Sequence, residues 1–259
     1  MIEELKIKTE AYYSIQKQRI QTQLRIKSYV RNGKLERDQA AELHGWMDEL
    51  LFRIEKKIKR DVEKLLKNVP IWQEFLKQVN GVGPCLAGSL IAGIVNIGRF
   101  RYVSSLWKYC GMHVVNGHAP QKTRGQKIDW NPFLRMTCYK IGESFVKQKA
   151  DNCLYRRLYT SKKKYYRAKY PEKVAFKTKK GKTAYKYTDG HIHAMARRYA
   201  VKIFLSHLWV RWREIEGLPV TKPWVFEHRP GHRDYIAPQE AMWADWFKKK
   251  AKMGYKDWQ

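Results

Sequence analysis

The apolar residues Leu43, Met47, Leu50, Ile54, Ile58, Val62 and Leu65 follow one another at steps of 4, 3, 4, 4, 4 and 3. Only a helix returns side chains to one face at that spacing, and a sustained mixture of threes and fours has the character of a coiled-coil seam. Tyr13, Ile20, Leu24 and Tyr29 mark a preceding helix, and Arg31-Asn32-Gly33 separates the two with turn chemistry. Residues 1–68 are therefore expected to form two antiparallel helices, a helical hairpin or coiled-coil arm. Either the arm packs on its own domain or it joins copies of the chain into a homo-oligomer.

Asn68-Val69-Pro70 ends the arm, because proline disfavours a helical conformation in the residue before it. From Ile71 to about Val146 short helical stretches alternate with glycine-rich turns, and no run alternates with period two. Residues 156–190 carry thirteen Lys and Arg against Glu172 and Asp189, with Tyr159, Tyr165, Tyr166, Tyr170, Phe176, Tyr185 and Tyr187 among them. Residues 191–216 return to a helical pattern, and the last forty residues are rich in Pro and Trp. The fold class expected is mostly α. Its parts are the arm (1–68), a helix-hairpin-helix core (69–155), a basic Lys/Tyr-rich insertion (156–190), and a closing helix with a Trp-rich tail (191–259).

Charge narrows the function. The chain has 259 residues, with 53 Lys and Arg against 24 Asp and Glu, a net charge of +29. The first 68 residues hold 16 and 11 of these, a net +5, so the remaining +24 lies beyond the arm. A polyanion is the first partner such a surface suggests. With 44% hydrophobic and 14% aromatic residues the chain has the means to build a core, unlike a disordered basic tail. The four cysteines, Cys85, Cys110, Cys138 and Cys153, form no C-x-x-C pair and suggest neither a zinc module nor a disulfide framework. The apolar run Cys85 to Val95 is about half of what a bilayer crossing needs. No membrane partner is expected, and a cytoplasmic or nucleoid-associated setting is.

Gly81-Val82-Gly83-Pro84, preceded by the apolar Phe75 and Val79 and followed by Ala87, fits a helix-hairpin-helix. Glycines allow a tight, partly left-handed turn and close backbone approach to a ligand. Proline suits the first turn of a helix, where its missing N–H leaves no bond unmade. Such a hairpin offers backbone N–H groups to a phosphate and reads backbone rather than bases. Dinucleotide binding is excluded, since no strand precedes the glycines and no third glycine stands at the required place. The residues expected to touch DNA are Lys77, Gly81, Val82 and Gly83, with Arg99, Arg101, Lys108, Lys122, Arg124, Lys127 and Arg135 as flanking phosphate contacts.

An ordered series carries a family resemblance: Gly81-Val82-Gly83-Pro84, then Ile97-Gly98-Arg99-Phe100, then Leu106-Trp107-Lys108-Tyr109-Cys110-Gly111-Met112, then Asn131-Pro132-Phe133-Leu134-Arg135. His193-Ala194-Met195-Ala196-Arg197-Arg198 through Trp209 extends it. The series resembles the C-terminal domain of the IS-one-ten type insertion-sequence transposases, the group that also contains the Piv-type DNA invertases. The resemblance implies DNA recombination by an acidic ribonuclease-H-like domain, a coiled-coil connector and a C-terminal domain bearing a nucleophilic serine. Residues 1–68 look like the connector alone, and the acidic domain is expected to be missing. Where the family has its serine, this loop reads His113-Val114-Val115-Asn116-Gly117-His118, with Asn116 at the serine's place and Thr123 as another hydroxyl nearby. An amide cannot attack phosphorus to form an ester link.

Other chemistry reads more blandly. Ser104 and Ser105 look like helix caps, and Ser144 lies in a helical stretch. His191-x-His193 and His228-x-x-x-His232 lack a third ligand at recognised spacing. Asp129, Glu143, Asp151, Glu172 and Asp189 are scattered and suit ion pairs rather than a two-metal site. No cofactor, metal ligand or catalytic residue is assigned. The expectation is a DNA-binding protein for duplex or branched DNA, built like the C-terminal part of a transposase and lacking strand-cutting chemistry. The alternatives are an active transposase or recombinase subunit, and a protein binding structured RNA.

Overall fold

The protein is described from a computed structural model covering residues 1–115, 117–177, 181–221, 236 and 238. Helices dominate the described residues, with a single two-stranded sheet among them. The chain divides into two compact units, Met1–Gln73 with Pro84–Val95, and Glu74–Gly83 with the chain from Asn96 onward.

In the first unit α1 (Ile2–Arg31) carries Glu3 and Glu4 in its first turn and Arg31 in its last, the charge order that complements the helix dipole. Gly33 (φ +65°) reverses the chain. The return leg is α2 (Arg37–Met47), a π-helical turn (Asp48–Phe52) and α3 (Arg53–Leu66), all packed on α1. The π turn changes which face is buried, because one extra residue per turn rotates the following helix by about 100°. Met47, Val62 and Leu66 are buried, whereas Leu43, Leu50 and Ile54 from the apolar seam are 42%, 48% and 43% exposed. Glu55 turns inward instead and accepts two hydrogen bonds from Arg19, Nε at 2.5 Å and Nη2 at 3.1 Å.

The apolar run after Gly83 becomes α5 (Pro84–Ile94), which packs on α1 and α3. Gly88 makes the approach close: a Cβ there would stand 3.1 Å from both Thr9 Cγ2 and Val62 Cγ1. Burial also pushes the Cys85 thiol up to about 12, so it is an inert core group. Among the described residues no helix is long and apolar enough to cross a membrane.

Pro70 opens the short α4 (Pro70–Glu74), and a 3-10 turn (Leu76–Gln78) leads into the glycine segment. The second unit then contains α6 (Val103–Tyr109), α7 (Pro132–Lys147), α8 (Leu154–Lys169), strands β1 (Val174–Lys177) and β2 (Thr183–Lys186), and α9 (Asp189–Ile215). Asn131 caps α7 by accepting from the Leu134 N–H at 3.2 Å, with Pro132 following it. Thr188 caps α9 by accepting from the His191 N–H at 3.2 Å, with Asp189 in the first turn. Ser104 and Ser105 are not the caps of α6; Tyr102 holds that position, and the serines lie inside the first turn.

An aromatic cluster joins these helices. Phe145 stacks on Tyr155 at 4.6 Å, and Phe204 meets both rings edge-on at 5.4 Å. Phe75 stacks on Phe204 at 6.4 Å, which seats the segment before the glycines in the same core. Trp209 donates its Nε1–H to the Phe100 carbonyl at 2.7 Å. The antiparallel β1–β2 pair runs from Val174 opposite Lys186 to Lys177 opposite Thr183. It was not apparent in the sequence, because four-residue strands set among lysines give too short an alternation to read. Trp209 and Trp212 are buried, while Trp224, Trp243, Trp246 and Trp258 lie outside the described residues.

Candidate nucleic-acid interface

The glycine segment divides its labour unevenly. Gly81 has φ +97°, which an L side chain resists, and a Cβ there would meet Phe145 Cδ1 at 3.1 Å and Gln148 Cγ at 3.3 Å. Ser144 donates its hydroxyl to the Gly81 carbonyl at 2.7 Å, so this serine fastens the turn to α7. Gly83 is exposed, is not left-handed, and would meet nothing within 4 Å if given a Cβ. Val82 is buried at 4% exposure, so only its backbone can meet a ligand. The helical segment before the turn is limited to the five residues of α4 and the 3-10 turn.

Of the cations expected to flank this turn, Lys77, Arg99, Arg101, Lys108, Lys122, Arg124 and Lys127 are exposed. Lys122, Arg124 and Lys127 stand on the loop joining α6 to α7. Lys108 is partly neutralised by Asp129 at 3.5 Å, a carboxylate it shares with His113. Arg99 lies over the rings of Phe100 and Tyr109 and Arg101 over Tyr102. Arg135 is half-buried, 4.8 Å over the Trp130 ring, and alone among these cations lines the groove that the second unit forms.

That groove has a volume of about 530 Å³ and lies between the α6–α7 loop, α7, the ends of α8 and β2, and one face of α9. Among the described residues Arg135, Lys186, Arg197, Arg198 and Lys202 line it, and no carboxylate does. α9 delivers its part by helical spacing: His191, Met195, Arg198 and Lys202 step by 4, 3 and 4 along one face. Gly142 lets α7 come close to α9 here, since a Cβ would stand 2.7 Å from Arg197 Cγ.

The cations are held in place and disfavour one another. Arg198 donates Nη2–H to the carbonyls of Gly111 at 3.2 Å and His113 at 2.6 Å, tying the loop to α9. Burial, and then the neighbouring Arg135, lowers the Arg198 pKa from its ordinary value. Burial followed by Arg198 does the same to Lys202, whose ammonium sits 4.1 Å from the centre of the Trp107 ring. Arg197 pairs with Glu143 and lies 4.2 Å over the Tyr139 ring. Cations that burial and a like-charged neighbour both disfavour gain from an incoming anion.

The histidine pair reads as structural wiring. His191 Nδ1 accepts from the Tyr187 N–H at 3.0 Å, and His193 Nδ1 bonds the Tyr159 hydroxyl at 2.7 Å. His193 Nε2 faces Glu143 at 3.7 Å, and burial followed by Lys163 lowers its pKa. Among the described residues no three His, Cys, Asp or Glu side chains gather into a metal site. Glu143, Asp129 and Asp189 each have a cation partner. His228, His232 and Asp234 lie outside the described residues, as does Asn116 at the apparent serine place. Thr123 is exposed on the α6–α7 loop.

Arg197, Arg198, Lys202 and His191 line the groove and were not among the expected contacts, whereas Lys186, Tyr166, Tyr170 and Tyr187, which also line it, belong to the Lys/Tyr-rich segment 156–190, a composition that suits phosphates and unpaired bases or, equally, packing onto the core. For His191, Arg198 and Lys202 the signal was the 4-3-4 spacing on α9, which had no partner face until α7 and α8 were folded against it.

These features define a chain whose described residues are mostly helical and whose second unit carries a groove lined, among those residues, by cations and no carboxylate. The model of the Transposase IS116/IS110/IS902 family matches residues 73–156, so this stretch is similar to a transposase domain of that family. The match covers about a third of the chain. No curated protein and no solved structure shows a match.

Proposed function

We propose that this chain binds DNA in transposition or recombination, and that the groove between the α6–α7 loop, α7 and α9 is its principal phosphate-binding surface. The observation that carries the reading is the set of five cations around a groove that no described carboxylate lines, beside a loop in the stretch similar to a transposase-family domain. Arg198 and Lys202 support it: both are half-buried, burial is the main cause that lowers their pKa values, and a bound phosphate would offset that cost for two partly desolvated cations. The exposed Lys77 and Gly83 serve as a second backbone contact, in the manner of a helix-hairpin-helix. Strand cutting is not assigned to this chain, since the loop at the family's serine place offers Val114, Val115, Asn116, Gly117 and His118.

Fluorescence anisotropy with duplex and four-way-junction DNA across a salt series tests the binding. Lys202→Ala and Arg135→Ala are each expected to weaken binding and to flatten the slope of log K against log salt by about 0.9 per lost phosphate contact. Unchanged slopes in both would remove the groove from the interface. A supercoiled plasmid incubated with Mg²⁺ tests the catalytic part: nicks or covalent adducts would make the chain an active recombinase subunit.

A further inference from the structure

One wall of the groove is a column of rings. Tyr166 and Tyr170 stack at 6.4 Å and 23°, Tyr170 and Tyr187 at 3.9 Å and 2°, and Tyr187 and His191 at 5.6 Å and 2°. Three different elements supply it: α8, the end of β2 and the first turn of α9. The β1–β2 pair therefore has a local purpose, returning the chain so that Tyr187 lies between the rings of Tyr170 and His191.

The column is held under strain. Tyr187 has φ +58°, one of two described non-glycine residues with positive φ, a conformation that a large L side chain resists. Its N–H donates to His191 Nδ1, which fixes the imidazole plane parallel to the tyrosine and leaves the ring proton on Nε2. Thr188 then caps α9 through the His191 N–H, so one short segment fixes the ring and its backbone. A core needs no parallel column of half-exposed rings, and all four rings line the same groove as the cations.

We propose that the groove takes an unpaired nucleotide of a nucleic-acid strand, its base continuing the ring column beyond His191 and its phosphate on Arg198 and Lys202. The proposal rests on the groove being a phosphate-binding surface and adds to it a subsite for a base. Aromatic faces accept any base, because every base presents a π face, whereas the cations read only the backbone. In a duplex that face is covered by the stacked neighbouring pairs, so the subsite selects strands that are single, gapped or opened. The shared chemistry is the unpaired nucleotide, which either a DNA or an RNA strand presents.

The test uses the full chain and two readouts on the same samples. Twelve-residue single strands of DNA and of RNA, each with one central 2-aminopurine, are compared with the corresponding DNA duplex. Anisotropy reports binding, and 2-aminopurine fluorescence reports stacking. Quenching with the single strand and not with the duplex is the expected result, and whether DNA or RNA quenches identifies the source of the strand. His191→Ala should remove the quenching and lower single-strand affinity roughly tenfold, the effect of losing one stacked base. His191→Phe keeps a ring without the Nδ1 acceptor and should restore both. Tyr187→Gly, which relieves the positive φ and so is expected to fold, should behave like His191→Ala. Binding without quenching, or a His191→Ala variant equal to the parent, would overturn the subsite and leave the phosphate surface standing. Failure to bind any of the three oligonucleotides would overturn the proposed function itself.

Discussion

Replacing Gly81 and Gly83 separately by alanine asks whether the two glycines of the turn have the distinct tasks their surroundings assign. At Gly81 the φ of +97° is closed to alanine except under strain, worth about 1–2 kcal/mol for an L residue. The new Cβ would also stand 3.1 Å from Phe145 Cδ1, 3.3 Å from Gln148 Cγ and 3.4 Å from Ser144 Oγ. Ser144 holds the Gly81 carbonyl from that side, and disturbing the hydrogen bond removes about 1 kcal/mol more. Alanine also stiffens the unfolded chain, which returns about 0.4–1 kcal/mol. The net loss is about 1–3 kcal/mol, or roughly 2–12 °C in Tm for a chain of this size.

At Gly83 none of these penalties exists, since the position is open and its φ is ordinary. Gly83→Ala should stay within about 0.5 kcal/mol of the parent, and so should Gly83→Val. Urea unfolding followed by circular dichroism measures both, and anisotropy on duplex DNA measures what stability does not. A stable Gly83→Val protein with weakened DNA binding is the expected result. Equal destabilisation at the two positions would refute the structural argument. Unaltered affinity in Gly83→Val would refute the phosphate contact while leaving the groove untouched.

Three further outcomes follow from single features. Arg19→Met strands the buried carboxylate of Glu55 and should cost about 3–5 kcal/mol in urea unfolding, whereas Arg19→Met with Glu55→Met should recover most of it. His207 is buried against the Tyr155 hydroxyl at 2.9 Å, and burial depresses its pKa to about 4. Because the unfolded imidazole takes its proton first, this contribution is intact above about pH 6.5 and is lost as pH falls toward 4, at about 1.36 kcal/mol for each tenfold difference in proton affinity between the two states. A urea series from pH 7.5 to 4.5 should show a gentler decline in His207→Gln than in the parent. Leu50, 48% exposed beside Trp46 at 57% and Leu43 at 42%, lies on the apolar face that the arm leaves uncovered; if copies associate there, Leu50→Glu should lower the mass seen by sedimentation equilibrium, and an unchanged mass would assign the arm no role in assembly.

The helical class was legible because period and caps are local. Asn131-Pro132 and the proline after Val69 mark helix starts where the structure has them. The arm's buried face was less legible, since a π turn at Asp48–Phe52 moved Leu50 and Ile54 outward and Glu55 inward. No residue pattern announces such a turn; it is visible only once Arg19 reaches Glu55 across 36 positions of chain. The same limit applies to the groove. The sequence showed Lys and Tyr crowding residues 156–190, and chain distance hid that Tyr170 and Tyr187 meet face to face. The flanking cations chosen by nearness to the glycines were, apart from Arg135, near in sequence and not in the groove.

The boundary of the family match bears on where specificity resides. The match ends at residue 156, yet four of the five groove cations, Lys186, Arg197, Arg198 and Lys202, and all four stacked rings lie beyond it. The matched stretch supplies the loop, Arg135 and the α7 face, and α9 closes the groove over them. α9 can do so because its core side is partly small: Ala196 and Ala200 are buried, and Gly142 removes a side chain opposite Arg197. The cations one face away are thereby brought against the loop, with Arg198 bonding the carbonyls of Gly111 and His113. Arg198→Ala should consequently do more than remove a charge. It should free two loop carbonyls, speed amide exchange across residues 111–118 and weaken DNA binding, whereas Lys202→Ala should weaken binding with exchange in the loop unaltered. Equal exchange in the two variants would mean that the loop holds its conformation without α9.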